Sequence, residues 1–170
     1  MIINGEGGSG KSWLIDHLVK DVRCVFREQP KILSQRILLL AHQGTATFNI
    51  KGQTVFSALG VSSLSRSAFS APYTSLTTQK NGPNKLKTLQ QQYKDVYLVI
   101  IDEFSVISCR MLHWIDERMK EIWPLQRHLP FGGRDVIFTG DAAQLDPAVP
   151  YALSTPLLQV YNDVQRKERE

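Results

Sequence analysis

Met1-Ile2-Ile3-Asn4, followed by Gly5-Glu6-Gly7-Gly8-Ser9-Gly10-Lys11-Ser12, is the stretch on which the fold turns. Four residues can supply only the end of a strand; a glycine-rich turn follows at once, and then Ser12–Val25, whose apolar positions recur at helical spacing. The turn matches GxxxxGK[ST] and stands between a strand end and a helix start. In that setting glycines let successive backbone N–H groups turn inward around phosphates, and the helix amino terminus adds its positive end. Gly5, Gly7, Gly8, Ser9 and Gly10 are the candidate cradle. Lys11 is expected to reach the β- and γ-phosphates and the Ser12 hydroxyl to ligate Mg²⁺, so ATP and Mg²⁺ are the expected ligands.

Working outward, Ile37–Ala41 (ILLLA), Tyr97–Ile101 (YLVII) and Asp135–Thr139 (DVIFT) are short continuous apolar runs, the pattern of strands buried on both faces of a parallel sheet. Between them Lys85–Tyr93 and Ser108–Trp123 read as helices, the second with Met111, Ile115, Met119 and Ile122 on one core-facing stripe. Strands alternating with helices predict an α/β domain, a mostly parallel sheet with helices on both faces, with ligands at the carboxyl ends of the strands. Ser62–Thr78 and the turn Lys80-Asn81-Gly82-Pro83 read as one long polar surface loop. It carries Arg66 and Lys80, with Lys85 and Lys87 beyond, and is expected to be a solvated connector.

Composition narrows the class. A chain of 170 residues allows one domain with a real core, and 42% hydrophobic residues without a run near the roughly 20 needed to cross a bilayer predict no membrane role. A net charge of +4 tilts it toward anionic partners. Cys24 and Cys109 stand far apart without CxxC or Cys/His spacing, which indicates neither a zinc site nor a disulfide framework. The first residues lack the charged leader and apolar stretch of a secretory signal.

A nucleotide hydrolase also needs a carboxylate at a neighbouring strand tip. Leu98-Val99-Ile100-Ile101-Asp102-Glu103 offers two in succession: Asp102 for the metal, and Glu103 as the general base for the attacking water.

With these residues in view, the chain resembles a known family. Ile100–Ser108 (IIDEFSVIS) is similar to the IIDExSMxS motif of Pif-type DNA helicases, relatives of the RecD-like branch of superfamily 1. Ala41–Ser57 (AHQGTATFNIKGQTVFS) resembles that family's APTGxAAxNIxGxTxHS, Gly140–Pro147 (GDAAQLDP) its GDxxQLPP, and Phe131-Gly132-Gly133 also fits. The resemblance implies a RecA-like P-loop domain and a 5′-to-3′ ATP-dependent DNA helicase of repair, recombination or telomere maintenance. It implies that Gln144 senses the γ-phosphate, and that Gly44, Asn49, Thr54, Phe56 and Ser57 lie along a track for single-stranded DNA. A path of small polar residues would let a phosphate backbone approach, with Phe48 or Phe56 to stack on a base. The departures are His42 and Gln43 for Pro-Thr, Thr47 for alanine, Phe56 for histidine and Asp146 for the first proline; most sit on the DNA side.

By the same resemblance residues 1–150 are a first motor domain and 151–170 a charged linker toward a second RecA-like domain that these residues do not include. Arginines of the second domain complete catalysis, and such a finger is worth about 10³–10⁵ in rate, so this stretch alone is expected to bind Mg·ATP and hydrolyse it slowly. Two other readings stay open: a single-stranded-DNA-binding fragment without turnover, and an unrelated P-loop kinase, against which Gln144-Leu145 after Gly140-Asp141 speaks. Nuclear and mitochondrial locations are both compatible with the residues, and the oligomeric state is not legible in them.

Overall fold

The structure is a computed structural model that describes residues 1–26, 36–42, 44–61, 72–144, 151–153, 155–156 and 159. Strands β1 (Ile2–Asn4), β2 (Ile37–Ala41), β3 (Gln53–Thr54), β4 (Leu98–Asp102) and β5 (Asp135–Gly140) form one sheet in the order β1-β5-β4-β2-β3, every neighbouring pair parallel. Helices α1 (Lys11–Phe26), α2 (Gly44–Ile50), α3 (Val55–Ala58), α4 (Gly82–Gln92) and α5 (Cys109–Ile122) cover it.

The apolar runs are continuous because each strand residue must satisfy one face or the other. Along β2 and β4, Leu38, Leu40, Val99 and Ile101 enter the core built with α3, α4 and α5. Ile37, Ala41, Leu98 and Ile100 enter the opposite core, where they meet Ile15 of α1 and Ala46 and Ile50 of α2. The period of two thus sorts one hydrophobic string onto two helical layers, and all five residues of β4 are buried. Helix α5 starts where Ser108 accepts a hydrogen bond from Met111 N at 3.1 Å, and it buries the Met111, Ile115, Met119, Ile122 stripe as its spacing predicts.

Two expectations need correction. The turn read at Lys80–Pro83 ends earlier: Asn81 takes a left-handed φ of 61°, and Gly82-Pro83 already opens α4, since a proline in the first turn gives up no intrahelical donor. The polar loop is not a free connector at its end. Leu76 is buried and Tyr73 packs edge-on against Trp114, held by Arg118, which is itself only 1% exposed. Arg118 donates from Nε to Tyr73 Oη, from Nη1 to Leu59 O and from Nη2 to Thr74 O, and pairs with Glu121 at 3.1 Å. Burial raises the Tyr73 phenol well above its usual range against the opposing pull of Arg118. The small polar residues read from Ala41–Ser57 are carried by two short helices and an edge strand. Arg66, Gln43, Asp146 and the charged end at 160–170 lie outside the described residues, while Lys80, Lys85 and Lys87 are exposed. Residues 151–153 are described, and they lie against the start of α5, with Ser108 bridging Ala152 and Cys109 N donating to Tyr151 O.

Candidate nucleotide and nucleic-acid site

Parallel register brings the strand ends level: Asn4 opposite Gly140, and Ala41 opposite both Asp102 and Thr54. The phosphate loop, the Asp102-Glu103 pair and the Gly140-Asp141 pair each lie where one of these strands stops. At about 4.8 Å per strand, Asp102 lies roughly 10 Å across the sheet from Asn4, with β5 between them.

The loop after β1 is tied down at its start, where Gly5 N donates to Gly140 O at 3.0 Å, and it closes on Ser9 N to Glu6 O. Gly8 and Gly10 have φ of +77° and +88°, which L side chains rarely adopt, and a Cβ on either would meet nothing within 4 Å. Helix α1 then begins with Leu14 N on Gly10 O and no acidic residue in its first turn. Lys11 Nζ donates to Gly5 O and Glu6 O at 2.6 and 2.8 Å. Open glycines, a helix amino terminus without acid, an ammonium against the loop and the exposed Ser12 hydroxyl together fit a bound polyphosphate with its magnesium.

At the tip of β4, Asp102 is 8% exposed and accepts a 2.6 Å hydrogen bond from Thr139 Oγ1 on β5. That bond occupies one carboxylate oxygen and fixes the direction of the other. Glu103 follows with φ 61° and ψ 47°, a left-handed conformation costing an ordinary residue about 1–2 kcal/mol. The kink swings the chain from the strand into the short 3₁₀ turn Phe104–Val106. Phe104 then crosses β5 so closely that a Cβ on Gly140 would stand 2.8 Å from its Cδ1 and 2.9 Å from its backbone N. The glycine that ends β5 is therefore a contact requirement of the Asp102-Glu103 turn.

Beyond Gly140, Asp141 is buried and caps its own turn, accepting from Ala143 N at 3.0 Å, and Asn4 Oδ1 accepts from Ala142 N at 2.8 Å. Gln144, on the same turn, is exposed and reaches the phosphate loop: its Nε2 lies 3.4 Å from where a Cβ of Gly7 would be. Lys11, Ser12, Asp102, Glu103 and Gln144 thus gather at one edge. Sequence reading missed the polar residues that hold them there, Asn4, Thr139 and Asp141. A threonine inside an apolar strand, directly before the Gly140-Asp141 pair, was the available signal.

The expected nucleic-acid residues gather less tightly. Gly44 opens α2, and Phe48 projects from it, 86% exposed, beside Thr47, Asn49 and Lys51 on a shallow groove. Thr54 and Ser57 serve α3 as its cap: Thr54 Oγ1 accepts from Ser57 N and donates to Ser57 Oγ, which donates back to Thr54 O. Phe56 is half-buried against the core and meets His42 edge-on, with centroids 5.7 Å apart. Of the two aromatics expected to stack on a base, Phe48 has the open face. Gly52 has a steric reason, since its Cβ would fall 2.5 Å from Leu39 O of β2.

The family model described as PIF1-like helicase matches residues 1–161. The chain belongs to the PIF1-like helicase family. The ATP-dependent DNA helicase PIF1 of Emericella nidulans is 30% identical over 149 residues, which are 86% of this chain and 18% of that protein. Among solved structures, the Pif1 helicase of Candida albicans superposes with a TM-score of 0.63 at 26% identity, over 88% of this chain and 30% of that one. A Bacteroides Pif1 in complex with ADP-AlF3 and ssDNA gives 0.62 at 25%, over 96% and 32%. The α/β sheet is thus the RecA-like fold of these helicases, and the chain spans less than a third of the length of these relatives.

Proposed function

We propose that this chain is the ATP-binding motor portion of an ATP-dependent DNA helicase, moving 5′-to-3′ on single-stranded DNA in repair, recombination or telomere maintenance. The observation that carries the reading is the convergence, at one sheet edge, of the Gly5–Ser12 loop, the Asp102-Glu103 tip and Gln144 beside Gly7. The loop amides and Lys11 would hold the phosphates, and Ser12 and Asp102 would hold magnesium, which would neutralise charge on the phosphate oxygens. Glu103 takes the proton of the attacking water, its carboxylate aimed by the left-handed turn rather than by helix or strand. Gln144, reaching Gly7 from the turn after β5, senses loss of the γ-phosphate and reports it to the nucleic-acid site. That a Bacteroides relative is solved with ssDNA supports DNA as the partner; the track would cross α2 and the start of α3, with Gly44, Asn49, Thr54 and Ser57 along it and the exposed Phe48 stacking on a base for about 1–3 kcal/mol.

The test is Mg·ATP binding and hydrolysis by the 170-residue chain, with and without single-stranded DNA. Lys11→Ala is expected to lose binding, whereas Glu103→Gln is expected to keep binding and lose whatever turnover DNA stimulates. Magnesium-independent binding, or turnover that survives Glu103→Gln, refutes the assignment.

A further inference from the structure

Trp13 follows Ser12 in the first turn of α1 and is 65% exposed, whereas Trp114 and Trp123 are buried at 4% and 7%. An indole carries a large apolar surface, and leaving it in water forgoes the burial that normally repays its size. The ring is also held in place. His17, one turn on, stacks on it with centroids 3.6 Å apart and planes 28° from parallel, and His17 Nδ1 lies 2.9 Å from Trp13 O. A residue that served only the core would face Ile15, whose side chain is buried on the sheet side of the same helix. Trp13 instead stands on the outer side of α1, braced on one ring face and open on the other.

We propose that the open face of Trp13 stacks on the base of the nucleotide whose phosphates the Gly5–Ser12 loop holds, with His17 as the back of the stack. The inference rests on the nucleotide reading of that loop and adds the subsite that reads the rest of the ligand. Trp13 is covalently adjacent to Ser12, their Cα atoms about 3.8 Å apart, and is rotated about 100° from it around the helix. A nucleoside base is separated from its α-phosphate by a single ribose, a span that the reach of an indole side chain matches. No acidic residue stands in this first turn to repel the phosphate end. Because every base presents a π-face, such a stack favours a nucleoside triphosphate over bare polyphosphate while discriminating weakly between adenine and guanine.

The experiment measures equilibrium binding of Mg·ATP and of magnesium tripolyphosphate to the 170-residue chain by calorimetry, with tryptophan emission followed in parallel. Trp13→Ala is expected to weaken Mg·ATP about tenfold and leave tripolyphosphate unchanged, while Trp13→Phe retains most of the difference. In the unsubstituted chain, ATP but not tripolyphosphate should shield the emission of the exposed indole from acrylamide. If Trp13→Ala binds Mg·ATP as tightly as the parent while Lys11→Ala abolishes binding, the nucleotide site stands and the base subsite falls. If the parent binds neither ligand, both fall. Protection of Trp13 by a single-stranded oligonucleotide and not by ATP also overturns the proposal.

Discussion

Replacing Gly140 by alanine tests whether the two halves of the catalytic edge are joined by contact. The added Cβ would sit 2.8 Å from Phe104 Cδ1 and 2.9 Å from Phe104 N. The ring could rotate away, but the backbone nitrogen cannot, so strand or turn must yield by roughly half an ångström against ordinary van der Waals spacing. Overpacking of this kind costs about 1–3 kcal/mol. For a domain of this length that lowers Tm by about 4–8 °C at the middle of the range. The turn that yields begins at Glu103, whose left-handed backbone aims the proposed base, and small misplacements of a catalytic group can cost up to about 100-fold in rate. Mg·ATP affinity, set mainly by Gly5–Ser12, should change little. The assay pairs thermal unfolding with ATP binding and DNA-stimulated turnover. Wild-type Tm together with wild-type turnover in Gly140→Ala would refute the reasoning, as would loss of nucleotide affinity matching the loss of turnover. Gly44→Ala is the control for the unfolding arm alone, because nothing lies within 4 Å of its Cβ position and its Tm should not fall, whereas its place on the proposed DNA track excludes it from the turnover arm.

Two further outcomes test the supports of the site and of the fold. Thr139→Val keeps the shape of a fully buried residue but removes the donor to Asp102; it should cost about 1–3 kcal/mol in urea unfolding and raise the magnesium needed for half-maximal ATP binding several-fold. Arg118→Met leaves Leu59 O, Thr74 O and Glu121 without their buried cation and should cost about 3–5 kcal/mol, roughly 6–20 °C in Tm.

What the sequence made legible, and what it hid, divides along a physical line. The phosphate loop, β2, β4, β5 and the stripe of α5 were readable because each depends on a local pattern: glycines where φ must be positive, apolar runs where both faces are covered, and apolar residues every three or four positions on one helix face. Asp102 and Glu103 were readable because a carboxylate pair at the end of a buried strand is local too. The structure of Ala41–Ser57 was not. GTATFNI is rich in glycine and β-branched residues and reads poorly as a helix, yet Ala46 and Ile50 dock it on the sheet, so tertiary burial overrides propensity. Strand β3 is two residues long and exists because the backbone at Gly52 passes against Leu39, a contact no periodicity announces. Tyr73 and Leu76 looked like part of a polar connector until Arg118, 45 residues from Tyr73, drew that end of the loop onto α5. The same reasoning separates the two aromatics of the DNA side. Phe48 and Phe56 are alike in sequence, but one lies on the outer side of α2 and the other, in α3, is half-buried against the core. Only the three-dimensional arrangement leaves Phe48 with a face open to a base.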